Sequence, residues 1–243
     1  MRRLACILIF WCLLASPVWA LSIDAVSSTT GASTTSHNHT IAANANLAIV
    51  CVAGREAGGV AVNYSGVTVG GQSATRLDQN IVGGVMISEL WYKLAPLTGS
   101  QTVAVTGDAS TDYTVTGAIS IIGAAQTSTF NTAGKAGTVS TNMDVSSLAS
   151  AVGELGILCG AVRTPTGADP TVTADATSPV STEQYETVHA TDNALLGTAY
   201  TEAGASTSID MLTDLSQSVQ WSAVAVSIRP LASRGASMPV MFP

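Results

Sequence analysis

Hydrophobic and polar residues alternate with a period of two along most of this 243-residue chain, and no long window keeps the spacing of an amphipathic helix. Glycine pairs such as Gly58-Gly59 and Gly70-Gly71 separate the alternating segments. Many short strands divided by turn signals are typical of an all-β sandwich or barrel. The pattern predicts strands at residues 21–27, 37–42, 47–54, 60–64, 67–69, 74–77, 84–94, 102–106, 114–122, 138–145, 155–162, 171–174, 181–188, 195–201, 206–211 and 219–229, with a turn at most at 146–151.

Composition narrows the class of protein further. Only 10% of the residues are charged and 5% are aromatic, whereas 47% are hydrophobic. This composition excludes a coiled coil, and the low basic content excludes a nucleic-acid binder that works through a basic face. We expect no nucleic-acid partner.

The first twenty residues have the form of a secretory signal peptide. Arg2 and Arg3 precede an apolar run at residues 4–14, and small or tolerated residues at Val18 and Ala20 fit cleavage after Ala20. An uncleaved N-terminal anchor is the alternative. Loss of both arginines would leave seven basic against sixteen acidic side chains, a net charge of −9. The expected location is secreted, periplasmic or cell-surface, with membrane contact only through the signal peptide before cleavage.

Several sheet-building phrases follow one another in a recognisable order. They are NLAIV at 46–50, VTVGGQSATRL at 67–77, ELWYKLAP at 89–96, TGSQTVAVT at 98–106 and WSAVAVSIRP at 221–230. This order resembles the jelly-roll-like β-sandwich modules of secreted bacterial surface proteins and of some phage structural proteins. The resemblance implies a non-catalytic module for surface attachment or assembly and carries over no catalytic residues.

The predicted fold class is therefore all-β, a two-sheet antiparallel β-sandwich of jelly-roll type in one domain. The domain spans residues 21–230, after the signal peptide at 1–20 and before a flexible tail at 231–243. About 210 residues suit a single all-β domain, and no linker divides them. The signal peptide argues against a phage particle protein, although the sequence leaves bacterial or phage origin open.

Cys51 and Cys159 are the cysteines that remain after residue 20, and each lies in an apolar strand-like segment. An exported chain permits a disulfide between them. The alternative is two buried free thiols that pack as small hydrophobic side chains.

Metal binding has few candidate residues. His37 and His39 are two positions apart, so in a strand both imidazoles would lie on one face. They are weak zinc candidates, because His189 or a carboxylate would have to complete the ligand set. A polar strand end explains them more simply. Loop carboxylates could hold Ca²⁺ as the one possible cofactor; they are Asp108, Asp112, Asp169, Asp175 and Asp192.

Strand 85–94 offers the one candidate ligand-binding face. Met86, Leu90, Tyr92 and Leu94 alternate with Ile87, Glu89, Trp91 and Lys93. An exposed Trp91 would stack on a sugar, with Glu89 and Lys93 hydrogen-bonded to its hydroxyls. The alternative is that a loop covers Trp91.

Catalysis lacks a recognisable site. A glycosidase needs two carboxyl groups that flank the bond it cleaves at a set separation, yet Glu183 and Glu186 are expected on opposite faces of their strand. No nucleophile-elbow motif occurs either. The expected protein is a secreted, non-catalytic surface or structural β-sandwich that acts in attachment or assembly, with a surface glycan or a protein as possible partner and oligomers possible. A carbohydrate-binding module or glycosidase that uses the Glu89/Trp91 face is the alternative.

Overall fold

The structure is a computed structural model that describes residues 20–56, 63–108, 113–163, 170–174, 181–189, 195–204 and 207–232. For residues 132 and 133 it describes the backbone alone. Every regular element in these ranges is a β-strand, and every strand pairing is antiparallel. The prediction of an antiparallel all-β sandwich is confirmed. The signal peptide at 1–20 and most of the tail at 231–243 lie outside the described residues.

Three sheets are present in the described part of the chain, where the sequence predicted two. The middle sheet has the order β1-β9-β3-β7-β6, and a four-stranded sheet with the order β2-β8-β4-β5 packs on one of its faces. These strands are β1 (Ser22–Gly31), β2 (Thr34–Ile41), β3 (Ala45–Arg55), β4 (Tyr64–Val69), β5 (Gln72–Ser73), β6 (Thr75–Val82), β7 (Met86–Leu94), β8 (Gly99–Gly107) and β9 (Tyr113–Ile122).

A six-stranded sheet packs on the other face of the middle sheet. Its order is β10-β15-β11-β14-β13, and β12 pairs with β15 beside this path. The strands are β10 (Phe130–Ala149), β11 (Leu155–Val162), β12 (Val172–Ala174), β13 (Thr182–Val188), β14 (Leu196–Ala203) and β15 (Ser208–Ile228). The middle sheet is therefore covered on both faces, which explains why residues 47–53 of β3 are apolar without alternation.

Two apolar layers separate the sheets. Leu47, Leu90 and Ile119 of the middle sheet meet Ile157 and Val226 of the six-stranded sheet in the first layer. The second layer lies between the middle and the four-stranded sheets; it contains Val50, Ile87, Trp91, Ala118, Val67, Val69, Val103 and Val105. Sequence alternation assigned the two faces of β7 and of β15 correctly, because Val224, Val226 and Ile228 pack in the first layer while Trp221, Ala223 and Ala225 face the opposite side.

The six-stranded sheet folds over its own outer face. Pairing between β10 and β15 passes from Ser140 opposite Val219 to Asn142 opposite Asp214, so residues 215–218 of β15 form a large irregularity at a bend. Beyond the bend, Met143 and Met211 pack back onto Leu158 and Tyr200 in a third apolar cluster. The two segments predicted at 206–211 and 219–229 are therefore one bent strand, and the turn predicted at 146–151 is instead largely the end of β10.

Candidate functional site

The predicted ligand-binding residues Glu89 and Trp91 lie inside the protein. β7 runs between β3 and β6 in the middle sheet, and its Glu89/Trp91 face points toward the four-stranded sheet. Glu89 is 0% exposed and Trp91 is 7% exposed, while Lys93 further along the strand is half-buried. The Trp91 ring therefore offers no open stacking surface, and the prediction of an exposed glycan-binding platform is wrong. The alternation of β7 gave the correct face but could not reveal that a third sheet covers it.

Glu89 is held by two donors. Trp91 Nε1 donates a hydrogen bond to Glu89 Oε2 at 2.6 Å, and the Arg76 guanidinium donates to Glu89 Oε1 at 3.1 Å. Arg76 also lies 5.5 Å above the Trp91 ring, within cation–π range. Burial raises the pKa of the Glu89 carboxyl, while the Trp91 hydrogen bond and the Arg76 charge oppose that rise. These contacts make Glu89 a buried ion-pair partner that joins β6 to β7.

His37 and His39 lie on one face of β2, as predicted, and share one hydroxyl of the neighbouring strand β1. Ser27 Oγ is 2.9 Å from His37 Nε2 and 2.8 Å from His39 Nδ1. A hydroxyl carries one proton, so Ser27 donates to at most one of the rings and accepts from the other. The cluster links the edge of the middle sheet to the edge of the four-stranded sheet. No pattern along the chain indicated Ser27, because its contact with the histidines depends on how two sheets pack.

Burial disfavours the charged form of both imidazoles. It lowers the pKa of His37, and together with the nearby charge of His37 it lowers the pKa of His39 to about 4, against an opposing effect of Asp24. No group of three metal-ligating side chains occurs among the described residues. The part of the chain that the structure describes therefore places no third ligand of the kind a zinc site requires beside the two histidines.

Asp24 supports the same edge of the middle sheet. Its Oδ2 accepts a hydrogen bond from the Ala42 amide at 2.9 Å and another from Ser120 Oγ at 2.7 Å. The carboxylate thus connects β1 to the end of β2 and to β9. A single aspartate in a predicted strand carried no sequence signal for this role.

Glu183 and Glu186 share a face of β13, contrary to the expectation that they point to opposite sides. A register shift between Glu183 and Tyr185 inserts one extra residue, and this bulge reverses the alternation. Glu183 then pairs with Tyr200, and Glu186 pairs with Thr198 two residues away on β14. Burial raises the pKa of Tyr200, and the charges of Glu183 and Glu186 raise it further.

Cys51 of β3 and Cys159 of β11 are joined by a disulfide between the middle and the six-stranded sheets. Their Cα atoms are 5.3 Å apart, and both residues are buried in the first apolar layer. The bond closes a loop across 108 positions of the sequence.

A second buried carboxylate, Glu154, was not singled out from the sequence. Glu154 Oε2 accepts hydrogen bonds from Ser227 Oγ, from Asn131 Nδ2 at 3.1 Å and from the Ala151 amide at 3.2 Å. Arg229 Nε lies 3.7 Å from Glu154 Oε1. Glu154 therefore holds the start of β11 against β10 and β15. Its position before an apolar strand was the one available signal, and that signal is too common to identify such a role.

The calcium candidates are mostly outside the region that the structure covers. Asp108 lies at the end of β8, whereas Asp112, Asp169, Asp175 and Asp192 fall outside the described residues. In the described ranges, no helix is long and apolar enough to cross a membrane. A scan against protein-family models, a search of curated proteins and a search of solved structures each found no match.

Proposed function

We propose that the chain is an exported, non-catalytic β-sandwich protein that acts in attachment or assembly. The observation that carries this proposal is that two buried carboxylates, Glu89 and Glu154, link strands of the sandwich. Glu89 binds Arg76 and Trp91, and Glu154 binds Ser227 and Arg229. Carboxylates occupied in this way are not positioned to act on a substrate, which favours a structural role.

Side-chain contacts at the edges of the sandwich support the same role. On one side, Ser28 Oγ of β1 lies 2.7 Å from Thr187 Oγ1 of β13. On the other, Lys135 Nζ of β10 lies 3.1 Å from Asp78 Oδ1 of β6. The Asn80 side-chain amide also donates to the Ala136 carbonyl at 2.6 Å. Links at both edges restrain the middle and the six-stranded sheets against sliding, which favours a structural role.

Export is part of the proposal. The charged, apolar and small-residue segments of positions 1–20 match a secretory signal. Disulfides persist mainly in oxidising compartments, so a link between Cys51 and Cys159 suits a periplasmic, secreted or surface location.

Glycoside hydrolysis is the second candidate, and it now rests on β13 rather than on Glu89. The bulge that places Glu183 and Glu186 on one face beside Tyr200 favours it. Against it, Glu186 Oε2 accepts a hydrogen bond from the Val172 amide at 3.2 Å, which gives that carboxylate a structural partner.

Three measurements on the exported chain test the proposal. Light scattering over a range of concentrations should show a mass that increases with concentration, or the chain should be retained on a surface ligand. A panel of chromogenic glycosides should show no turnover. Turnover that is abolished by Glu183→Gln would overturn the non-catalytic proposal in favour of the hydrolase, and a strict monomer with no surface ligand would overturn attachment and assembly together.

A further inference from the structure

The outer face of the four-stranded sheet carries no charged side chain. Its strands β2, β4, β5 and β8, all within the described residues, contain no Asp, Glu, Lys or Arg. Most inward-facing positions are apolar and buried, among them Ile41, Val67, Val103 and Val105. The outward-facing positions are small and neutral; they are Thr34, Ser36, Asn38, Thr40, Gly66, Thr68, Ser73, Ser100, Thr102, Ala104 and Thr106.

These side chains form regular rows across the strands. One row crosses all four strands: Ser36 pairs with Ala104, Ala104 pairs with Thr68, and Thr68 pairs with Ser73. Neighbouring rows pair Asn38 with Thr102 and Thr40 with Ser100. Strands lie about 4.8 Å apart, and alternate residues of one strand are about 6.7 Å apart, so the face measures roughly 15 by 20 Å. The array is broad, with hydroxyl groups at a regular spacing.

The two-residue turn between β4 and β5 continues the sheet without adding charge. Gly70 and Gly71 have φ of +59° and +73°, and they connect the facing pair Val69 and Gln72. Such φ values favour glycine at both positions of a tight hairpin turn. Neither this turn nor the edge strand β5 contains a lysine, whereas many exposed sheet edges carry lysine that prevents docking.

We infer that this face docks on a neutral polysaccharide, an inference that rests on the proposed attachment function. Ser and Thr hydroxyls both donate and accept hydrogen bonds, as sugar hydroxyls do. Docking of a neutral polymer here removes no charged group from water, which would otherwise be costly. The described strands of this face carry no cation for an anionic polymer. The net charge of the chain, −7 with residues 1–20 and −9 without them, repels such a polymer.

Retention of the exported full chain on insoluble polymers tests the inference. The probes are cellulose and chitin as neutral polymers and polygalacturonate as an anionic one. We expect retention on at least one neutral polymer, little change between low and high salt, and none on polygalacturonate. Thr102→Lys places a charge near the centre of the face and should weaken retention by tenfold or more. Ser100→Lys, in the adjacent row, should do the same if Thr102→Lys fails to fold.

Thr141→Lys is the matched control, because Thr141 is an exposed threonine on β10 of the six-stranded sheet. It should bind as the unmodified chain does. Equal retention of all variants, or no retention on either neutral polymer, overturns the inference. Self-association that disappears with Thr102→Lys, without polymer retention, would assign the face to a second copy; the polysaccharide inference then fails while the assembly function stands.

Discussion

Cys51 and Cys159 join the middle and the six-stranded sheets through a disulfide, with their Cα atoms 5.3 Å apart. The bond lies in the apolar layer that holds these two sheets together, so it restrains the interface between them. The sequence left open whether the two thiols are bridged, because that depends on β3 and β11 packing face to face.

Replacement of both cysteines, Cys51→Ala with Cys159→Ala, should destabilise the protein strongly. The loop spans 108 positions, and loss of a cross-link of that length costs about 4–5 kcal/mol in the chain-entropy model. Urea denaturation of the double variant against the oxidised chain measures the difference. A double variant as stable as the oxidised chain would show that the cross-link contributes nothing.

The hydrogen bond from Trp91 to Glu89 should contribute more than that from Trp221 to Ser140. Both indole donors are buried, at 2.6 Å and 2.8 Å from their acceptors, but Glu89 is an ionisable acceptor paired with Arg76. Charge-assisted hydrogen bonds are about twice as strong as neutral ones. Trp91→Phe should therefore cost about 2–3 kcal/mol beyond the change in packing, and Trp221→Phe about 1 kcal/mol.

Chemical denaturation of the two Trp→Phe variants at neutral pH provides the comparison. Glu89→Gln combined with Trp91→Phe completes a double-mutant cycle that isolates the coupling of the pair. Equal losses for Trp91→Phe and Trp221→Phe would contradict the assignment of Glu89 as a charged, structural acceptor.

His39 should make stability fall in mild acid. Its pKa is lowered from 6.5 to about 4 in the folded protein, so between these values the unfolded chain binds more protons. The free energy of unfolding then decreases as the pH falls through this interval, by about 2 kcal/mol from His39 alone between pH 7 and pH 5. The charge of His37 lowers the pKa of His39 and that of Asp24 raises it, and the value of about 4 reflects both effects.

His39→Asn keeps a polar atom near the position of Nδ1, beside Ser27, and cannot titrate. Its unfolding free energy should vary less between pH 7 and pH 5 than that of the unmodified chain. An identical pH dependence for the two proteins would remove His39 as the cause.

Gly117 should tolerate no side chain. A Cβ at this position of β9 would overlap the ring of Tyr185, which packs over it from β13. Overpacking of this kind usually costs about 1–3 kcal/mol. Gly66→Ala is the control, since a Cβ there meets no atom within 4 Å, and it should leave stability almost unchanged. Similar melting temperatures for both variants would contradict the packing of β13 on β9.

Local sequence pattern predicted much of the fold. Period-two alternation placed most strands, gave β11 its observed bounds of Leu155–Val162 and assigned the faces of β7 and β15. It failed where the result depends on distant segments. The cover over Trp91 comes from a separate sheet, and the reversal at Glu183 comes from a bulge of one residue. Ser27 and the two histidines are in contact because the edges of two sheets adjoin, and the pattern within one strand cannot predict that.

Recovery of the full 243-residue chain after expression in a bacterium with an export pathway tests the central claim most directly. The claim is an exported protein whose sheets are joined by Cys51 and Cys159. Intact-mass and peptide analysis should find protein outside the cytoplasm, beginning at Leu21, with both thiols resistant to alkylation until reductant is added. A chain that stays in the cytoplasm with residues 1–20 attached and both thiols freely alkylated would contradict the account.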